Sequence, residues 1–420
     1  MAFKPYESAL RERVAGWMHQ GGPIDVLVGI PCYNNEDTIG LVVEQVAAGL
    51  SRDFPGLKKA ILVSDGGSTD DTRVAAEKAA CPADVRRFIF IYRGLPGKGT
   101  SFRAVFESAR LMKARSVAVV DADLRSITPD WVKALVGPIL EDRVDFVAPL
   151  YARHKYDGTI TNHIVYPMTR ALYGRRIRQP IGGDFGFSGR MAEIYLSKDV
   201  WMTDIARFGI DIWMTTVALA EAGRIGQAGL GVKIHDAKDP GADLEMMFRQ
   251  VVSTLFFMMG DYESHWTPVQ GSQDVPLFPG LEGRTDVPPL TVNEGRLARE
   301  FREGFEQFAS LYREILAPEH FESLTGACRP KAPGEPVVFG PELWAGIVYD
   351  FAYTFHNWLR NRHQLVAIML PLYFGRTAAY VEEVKGMSGE EAEAVIERQA
   401  EIFEERKSYL RGKMARWEGL

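Results

Sequence analysis

Four times before residue 125, a short run of β-branched and small apolar side chains ends in a polar loop. The runs are Ile24–Ile30, Lys59–Val63, Phe88–Tyr92 and Ser116–Val120, and the first three loops lead into segments of helical periodicity at Thr38–Leu50, Arg73–Ala80 and Thr100–Lys113. Strands that alternate with helices of this length are joined by right-handed crossovers and lie side by side in a mainly parallel sheet. The first half of the chain is therefore expected to be a doubly wound, Rossmann-like α/β domain of the nucleotide-binding type. An open sheet of this kind takes its ligand outside the carboxyl ends of its strands, so the polar loops are where chemistry is expected.

After Trp266 the texture changes. A Pro- and Gly-rich linker runs from Val275-Pro276-Leu277-Phe278-Pro279-Gly280 through Val287-Pro288-Pro289. Beyond it, Asn293–Leu316, Pro341–Tyr373 and Ser388–Trp417 carry apolar residues at three- and four-residue spacing, and Pro318–Gly340 reads as turns. The expected division is residues 1–270 for the α/β domain and 285–420 for a helical C-terminal domain.

Several classes are disfavoured. A net charge of -6 argues against a nucleic-acid binder that relies on a basic face. Cys32, Cys81 and Cys328 are odd in number and lack Cys-x-x-Cys spacing, so neither a disulfide framework nor a zinc site is indicated. Glu7, Arg11, Glu12 and Arg13 interrupt any apolar signal segment. The most apolar windows, Val251–Met259 and Leu365–Phe374, fall well short of the roughly 20 residues that span a bilayer. A cytoplasmic protein without an integral membrane segment and with a small-molecule partner is expected.

The loops supply candidate residues. Asp121, Ala122 and Asp123 place two carboxylates at the exit of the fourth strand, a donor set suited to a hard divalent cation such as Mg²⁺ or Mn²⁺ bridging a diphosphate. Pro31, Tyr33, Asn35 and Glu36 stand at the mouth of the first strand, where a ribose or a base edge can be held; the alternative there is a helix cap by Asn35. Asp65 ends the second strand and is a candidate for the base, whereas Asp70 and Asp71 suit a helix N-terminus. Pro96-Gly97-Lys98-Gly99 combines two glycines with one cation ahead of a helix, which suits phosphate; Gly99 after Lys98 rules out a P-loop.

The order Pro-x-Tyr-Asn-Asn-Glu, Ser-Asp-Gly-Gly-Ser-Thr-Asp-Asp-Thr, Pro-Gly-Lys-Gly and Asp-Ala-Asp closely resembles the N-terminal half of GT-A glycosyltransferases. Through Arg178-Gln179-Pro180-Ile181-Gly182-Gly183-Asp184, Phe208-Gly209-Ile210-Asp211 and Gly231-Val232-Lys233-Ile234-His235 the chain looks most like the retaining mannosylglycerate, glucosylglycerate and glucosyl-3-phosphoglycerate synthases. That resemblance implies a metal held by Asp121, Asp123 and His235, and a donor site that includes Asp121, Ala122, Lys98, Gly183 and Asp184. It implies catalytic roles for Asp123, Asp211 and Lys98, with Asp211 at the sugar or acceptor. The family has Glu where Asp184 stands, a side chain longer by one methylene. Arg153 and Thr161 fall at positions that hold glycerate in those synthases, with Asp157 between them; Lys155, Arg175, Arg176 and Arg178 are alternatives for an acceptor phosphate.

The expected activity is a retaining, metal-dependent transfer of glucose or mannose from a UDP- or GDP-hexose to D-glycerate or 3-phosphoglycerate. Two other readings stand beside it. One is a GT-A transferase to an acceptor such as polyprenyl phosphate; the other is a non-catalytic nucleotide-binding assembly protein whose helical tail pairs with a second copy of the chain as a homodimer.

Overall fold

The computed structural model describes residues 7–234, 242–280, 287–329 and 335–417. The strands are β1 (Val26–Cys32), β2 (Lys59–Asp65), β3 (Val85–Ile91), β4 (Ser116–Val119), β5 (Phe146–Ala152), β6 (Phe185–Ser188), β7 (Ile225–Val232) and β8 (Leu277–Phe278). The α-helices among them are α1 (Glu12–Gly21), α2 (Ile39–Asp53), α3 (Thr72–Lys78), α4 (Lys98–Leu111), α5 (Asp130–Leu140), α6 (Tyr166–Tyr173), α7 (Gly189–Leu196) and α8 (Ile210–Val217). Those that follow are α9 (Ala242–Asp261), α10 (Glu263–Trp266), α11 (Glu294–Ile315), α12 (Pro318–Cys328), α13 (Pro341–Asn357), α14 (Arg362–Ala367), α15 (Leu370–Glu383) and α16 (Gly389–Trp417).

The strands form one sheet in the order β3-β2-β1-β4-β6-β5-β7-β8. Every pairing is parallel except those of β6 with β4 and with β5. The expected α/β class with a mainly parallel sheet is what the chain adopts. β1 and β2 are buried on both faces, which is why they read in the sequence as continuous apolar runs. Val28, Ile30, Val63 and Ala118 pack with Val42, Val46, Trp131 and Leu135 of α2 and α5 in one core cluster.

β6 runs against its neighbours, so its N-terminal end lies at the edge where β1, β2 and β4 end. Gly182-Gly183-Asp184, immediately before β6, is thereby delivered to the exit of β4. The segment read as a linker also enters the sheet, with Leu277 and Phe278 pairing with Gln227 and Ala228 of β7. Glycine at 226 makes room for it: a Cβ there would lie 2.6 Å from the Phe278 ring.

By its contacts the chain divides into two units, one of Met1–Ala152, Ile177–Pro240 and Val275–Val287 and one of Arg153–Arg176, Gly241–Asp274 and Pro288–Leu420. The sequence reading drew one boundary between 270 and 285; the contacts group two earlier stretches with the C-terminal helices. The reason is apolar and polar pairing inside the second unit. Tyr166 of α6 shares a core cluster with Tyr380, Val381, Ala392 and Ile396. Trp344 Nε1 donates to the His163 carbonyl at 2.7 Å. Lys407 Nζ donates to the carbonyls of Leu172, Trp266 and Val269 at 3.1, 2.8 and 3.0 Å.

Two expectations for the helical region need correction. Pro318–Cys328 is helical and not a run of turns, because Pro318 stands in the first turn, where a missing N–H is tolerated. The single pattern Pro341–Tyr373 is broken into α13, α14 and the start of α15; Asn361 caps α14 by accepting from His363 N, and Pro371 sits at the start of α15.

Candidate active site

The first two loops form one structure. Asn34 takes a left-handed conformation, φ 53°, and its N–H donates to Ser68 Oγ at 2.9 Å while its side-chain oxygen accepts from Thr69 N at 2.9 Å. Asn35 N donates to Thr72 Oγ1 at 2.7 Å, and Glu36 accepts from Asp71 N at 2.8 Å. Asn35 is not the cap of α2; its Oδ1 accepts from Tyr33 N at 2.9 Å and tightens the turn. This leaves the Tyr33 ring 60% exposed at the mouth of β1, beside the half-buried Pro31.

Asp65 is fully buried at the end of β2. Its carboxylate accepts from Ser68 N at 3.1 Å, from the Ser68 hydroxyl, and from Arg73 Nη1, and Cys32 Sγ points at it from 3.8 Å. Of the roles open to it, organising the loop is the one this geometry displays. Burial and the neighbouring Asp65 carboxylate push the Cys32 thiol far up, so it stays protonated.

Gly97 and Gly99 serve the protein's own backbone. A Cβ at Gly99 would lie 1.8 Å from the Ile205 carbonyl oxygen and one at Gly97 would lie 2.5 Å from that of Ala206. The glycines let the start of α4 press against 205–206, and Tyr92 OH clamps the turn by accepting from Gly97 N at 3.0 Å. The effect is to fix Lys98 at the first position of α4.

Lys98 Nζ contacts Asp121 Oδ1 at 2.8 Å and Asp211 Oδ2 at 3.1 Å. Asp121 Oδ2 is in turn 2.9 Å from Lys233 Nζ, which also reaches Asp184 Oδ2 at 2.8 Å and donates to the Gly182 carbonyl at 2.8 Å. Asp184 Oδ1 accepts from the backbone N–H of Asp121 at 2.7 Å, and Tyr151 OH donates to Asp184 Oδ2. Three acids and two lysines from five separate segments therefore form one chain of ion pairs, Asp211–Lys98–Asp121–Lys233–Asp184. Gly183, φ 91°, is required at its centre, since a Cβ there would lie 2.4 Å from Asp121 Oδ2.

The electrostatics follow from burial. Desolvation pulls the Lys98 pKa down, but Asp121 and Asp211 outweigh it and hold the ammonium protonated. Desolvation pushes the Asp184 carboxyl pKa up against the pull of Lys233, with Asp121 adding to the rise. Asp211 is raised by the same burial and by Asp121, opposed by Lys98. Asp211 stands in the first turn of α8 without capping it, and its Oδ1 is a buried acceptor with no hydrogen-bond partner among the described residues. Such an oxygen is costly to leave unmatched. A sugar hydroxyl is a suitable donor to it.

The structure thus brings together Lys98, Asp121, Gly183, Asp184 and Asp211, and sets Ala122 beside them with its carbonyl bonded to Thr38 Oγ1 at 2.8 Å. Asp123 is half-buried in the same loop. His235 lies outside the described residues. Its neighbour Ile234 is tied to the Asp123 loop, accepting from Arg125 N at 2.9 Å and donating to Ser126 Oγ at 2.9 Å. Among the described residues no three His, Cys, Asp or Glu side chains stand close enough to hold a cation. Asp121 gives both oxygens to lysines in this structure.

The sequence reading missed Lys233, although it stands just past the end of β7 as Asp121 stands just past β4. A lone charge at the exit of a strand of glycines and apolar residues was the available signal.

Arg153, Asp157 and Thr161 belong to the helical unit. Arg153 Nη1 is 3.3 Å from Asp157 Oδ2, in a turn closed by Asp157 N donating to the His154 carbonyl at 2.8 Å. Thr161 is buried at the start of a π-helical turn, Thr161–Val165, that leads into α6. Lys155 does not wait for a phosphate: its Nζ donates to the carbonyls of Val384, Lys385 and Met387 at 2.7, 3.0 and 2.7 Å, capping the C-terminal end of α15. Arg175 bonds Gln273 and Arg176 pairs with Asp274.

Comparison with known proteins bears on this site. Residues 27–199 match the model of glycosyl transferase family 2. The chain is 29% identical over 256 residues to the glucosyl-3-phosphoglycerate synthase of Mycolicibacterium paratuberculosis, covering 56% of this chain and 72% of that protein. It is 27% identical over 243 residues to the dodecaprenyl-phosphate galacturonate synthase of Rhizobium johnstonii, covering 56% and 68%. A crystal structure of glucosyl-3-phosphoglycerate synthase from Mycobacterium tuberculosis in complex with Mg²⁺ and uridine diphosphate aligns with a TM-score of 0.46 at 25% identity, covering 59% of this chain and 83% of that one. The family match and the mainly parallel α/β sheet agree with the GT-A class, and the chain is a glycosyltransferase.

Proposed function

From the glycosyltransferase domain as premise, we propose that this enzyme transfers glucose from UDP-glucose to 3-phosphoglycerate with retention of anomeric configuration and with a divalent cation. Mannose as the sugar, GDP as the nucleotide and unphosphorylated D-glycerate as the acceptor are the nearest variants of this reading. The observation that carries it is the placement of Lys98 between Asp121 and Asp211 at the carboxyl edge of the sheet. A cation fixed there stabilises negative charge developing on a departing diphosphate. Asp211 Oδ1 offers the sugar an acceptor on the same carboxylate whose Oδ2 pairs with Lys98.

Asp123 and His235 would hold the cation; the tether between Ile234 and the loop after Asp123 supports this choice. An ion bound there supplies Lewis-acid neutralisation of the leaving group. Arg153 and Thr161 would bind the acceptor carboxylate, Arg153 exchanging its Asp157 partner for the ligand.

The likeness to a dodecaprenyl-phosphate galacturonate synthase favours a second reading, transfer to a polyprenyl phosphate. No helix among the described residues is long and apolar enough to cross a membrane. One experiment separates the readings: UDP-, GDP- and ADP-glucose, GDP-mannose and UDP-galacturonate are each offered with glycerate, 3-phosphoglycerate and dodecaprenyl phosphate, and products are identified by mass and anomeric NMR. An α-glucosyl-3-phosphoglycerate product is expected. Exclusive labelling of the lipid phosphate would replace the proposal with the second reading, and a β-linked product would remove retention.

A further inference from the structure

Two groups in the ion-pair chain are shut away from any ligand. Asp184 has no exposed surface, and each of its oxygens is already an acceptor, Oδ1 from Asp121 N and Oδ2 from Lys233 and Tyr151. The Lys233 side chain is 5% exposed and directs its ammonium at Asp121 Oδ2, Asp184 Oδ2 and the Gly182 carbonyl. An ammonium has three donors, and these three acceptors match them. What they hold in common is Asp121, gripped by its N–H from one side and by Oδ2 from the other, so that Oδ1 alone faces Lys98 at 2.8 Å.

We propose that Lys233 and Asp184 are positioning residues that fix the Asp121 carboxylate, and through it Lys98, in the orientation the leaving diphosphate requires, and that neither side chain touches a ligand. This rests on the transferase reading given above. It departs from the role that the family resemblance assigns to position 184, a contact with the donor sugar. The shorter Asp cannot extend past its own partners, and Lys233 occupies the Oδ2 side that faces Asp121. Removing Lys233 takes away the ammonium that holds Asp121 Oδ2, and the carboxylate then turns about its last torsion to offer both oxygens to Lys98. The lysine would then be drawn toward Asp121 and away from Asp211.

The test is a double-mutant cycle read in kcat and donor KM on the full chain, with folding checked by circular dichroism. Lys233→Met should lower kcat by about tenfold or more with donor KM within about threefold, whereas in an Asp121→Asn background the same change should cost under about twofold, because its effect runs through Asp121. An equal loss in both backgrounds would show that Lys233 acts on the ligand or on stability and would overturn the proposal. Asp184→Asn should leave unchanged the selectivity among donors that lack single sugar hydroxyls; loss of discrimination at one hydroxyl would make Asp184 a sugar contact and overturn it too. A crystal structure of Lys233→Met should show Asp121 rotated with both oxygens toward Lys98, and an unmoved Asp121 would also overturn it. Should Lys233→Met not fold, the Asp184→Asn selectivity measurement decides the question. An unaltered enzyme that transfers no sugar in any assay would sink the transferase reading first, a failure distinct from all of these.

Discussion

Asp121 and Asp184 are joined twice, directly through the Asp121 N–H to Asp184 Oδ1 at 2.7 Å and indirectly through Lys233, which stands 2.9 Å from one carboxylate and 2.8 Å from the other. Two acids brought this close are tolerated because a buried ammonium lies between them. The arrangement depends on the reversed direction of β6, which places residue 184 at the edge of the sheet where β4 ends.

Lys98→Ala should lower kcat/KM by roughly 2 to 4 kcal/mol of transition-state stabilisation, the range for one fixed electrostatic donor. It should also lower Tm, because Asp121 and Asp211 lose a shared partner. Adding Asp211→Asn should recover part of the Tm and none of the activity. Steady-state kinetics beside calorimetry checks this, and an unchanged kcat/KM would return the loop to a plain turn.

Activity should require Mg²⁺ or Mn²⁺ and vanish with a chelator. Asp123→Ala and His235→Ala should each reduce turnover by about 100-fold or more, given that a bound cation supplies several kcal/mol to such reactions. Mn²⁺ binding followed by electron paramagnetic resonance should weaken in both variants. A chelator-insensitive rate would remove the metal from the proposal.

Arg153→Lys should raise the acceptor KM by about tenfold and leave the donor KM nearly unchanged, because a point charge cannot reproduce two parallel hydrogen bonds to a carboxylate. Thr161→Val should act in the same direction more mildly. Glycerol serving as well as 3-phosphoglycerate would end the carboxylate-binding role.

Lys407 predicts an alkaline signature of stability. Burial depresses its pKa to about 8 from the ordinary 10.5, and its ammonium is held by carbonyls with no carboxylate among the contacts described. Between those two values the unfolded chain binds the proton and the folded one releases it, so this residue makes stability rise with pH there, by at most about 1.4 kcal/mol per pH unit. Below about pH 8 both states are protonated and its contribution is flat. Urea unfolding of Lys407→Met from pH 7 to 10.5 should show a smaller upward slope than the parent; equal slopes would refute the assignment.

β1, β2 and β4 were legible because burial on both faces leaves unbroken apolar runs, and the partly buried β3 from Phe88-Ile89-Phe90-Ile91; all four fall within three residues of the expected starts. Among the later strands β5 carries such a run, Phe146–Ala152, interrupted by Pro149 and missed in the sequence; β7 and β8 do not. β7 contains Gly226, Gly229 and Gly231, and β8 is two residues long inside a Pro-rich segment. Asp121 and Lys98 could be named from the sequence itself, as a charge at a strand exit and a cation between two glycines, whereas Asp211 could be named only through the family resemblance, because a carboxylate at a helix start also serves the helix. Lys233 could not be linked to Asp184, since that pairing exists only once β6 runs backwards. The packing role of Gly97 and Gly99 was hidden for a related reason: their neighbours at Ile205 and Ala206 are more than a hundred positions away along the chain.

The helical unit is not a tail. The backbone leaves the sheet unit after Ala152, returns at Ile177, returns again at Val275 and departs after Val287. A cut near residue 285 would strip Tyr166, Leu172 and Trp266 of the partners supplied by α15 and α16 while leaving them attached to the sheet. Inheritance of the two units is therefore coupled: recombination at one breakpoint cannot exchange the helical unit whole, and a viable chimera has to swap three stretches of gene together.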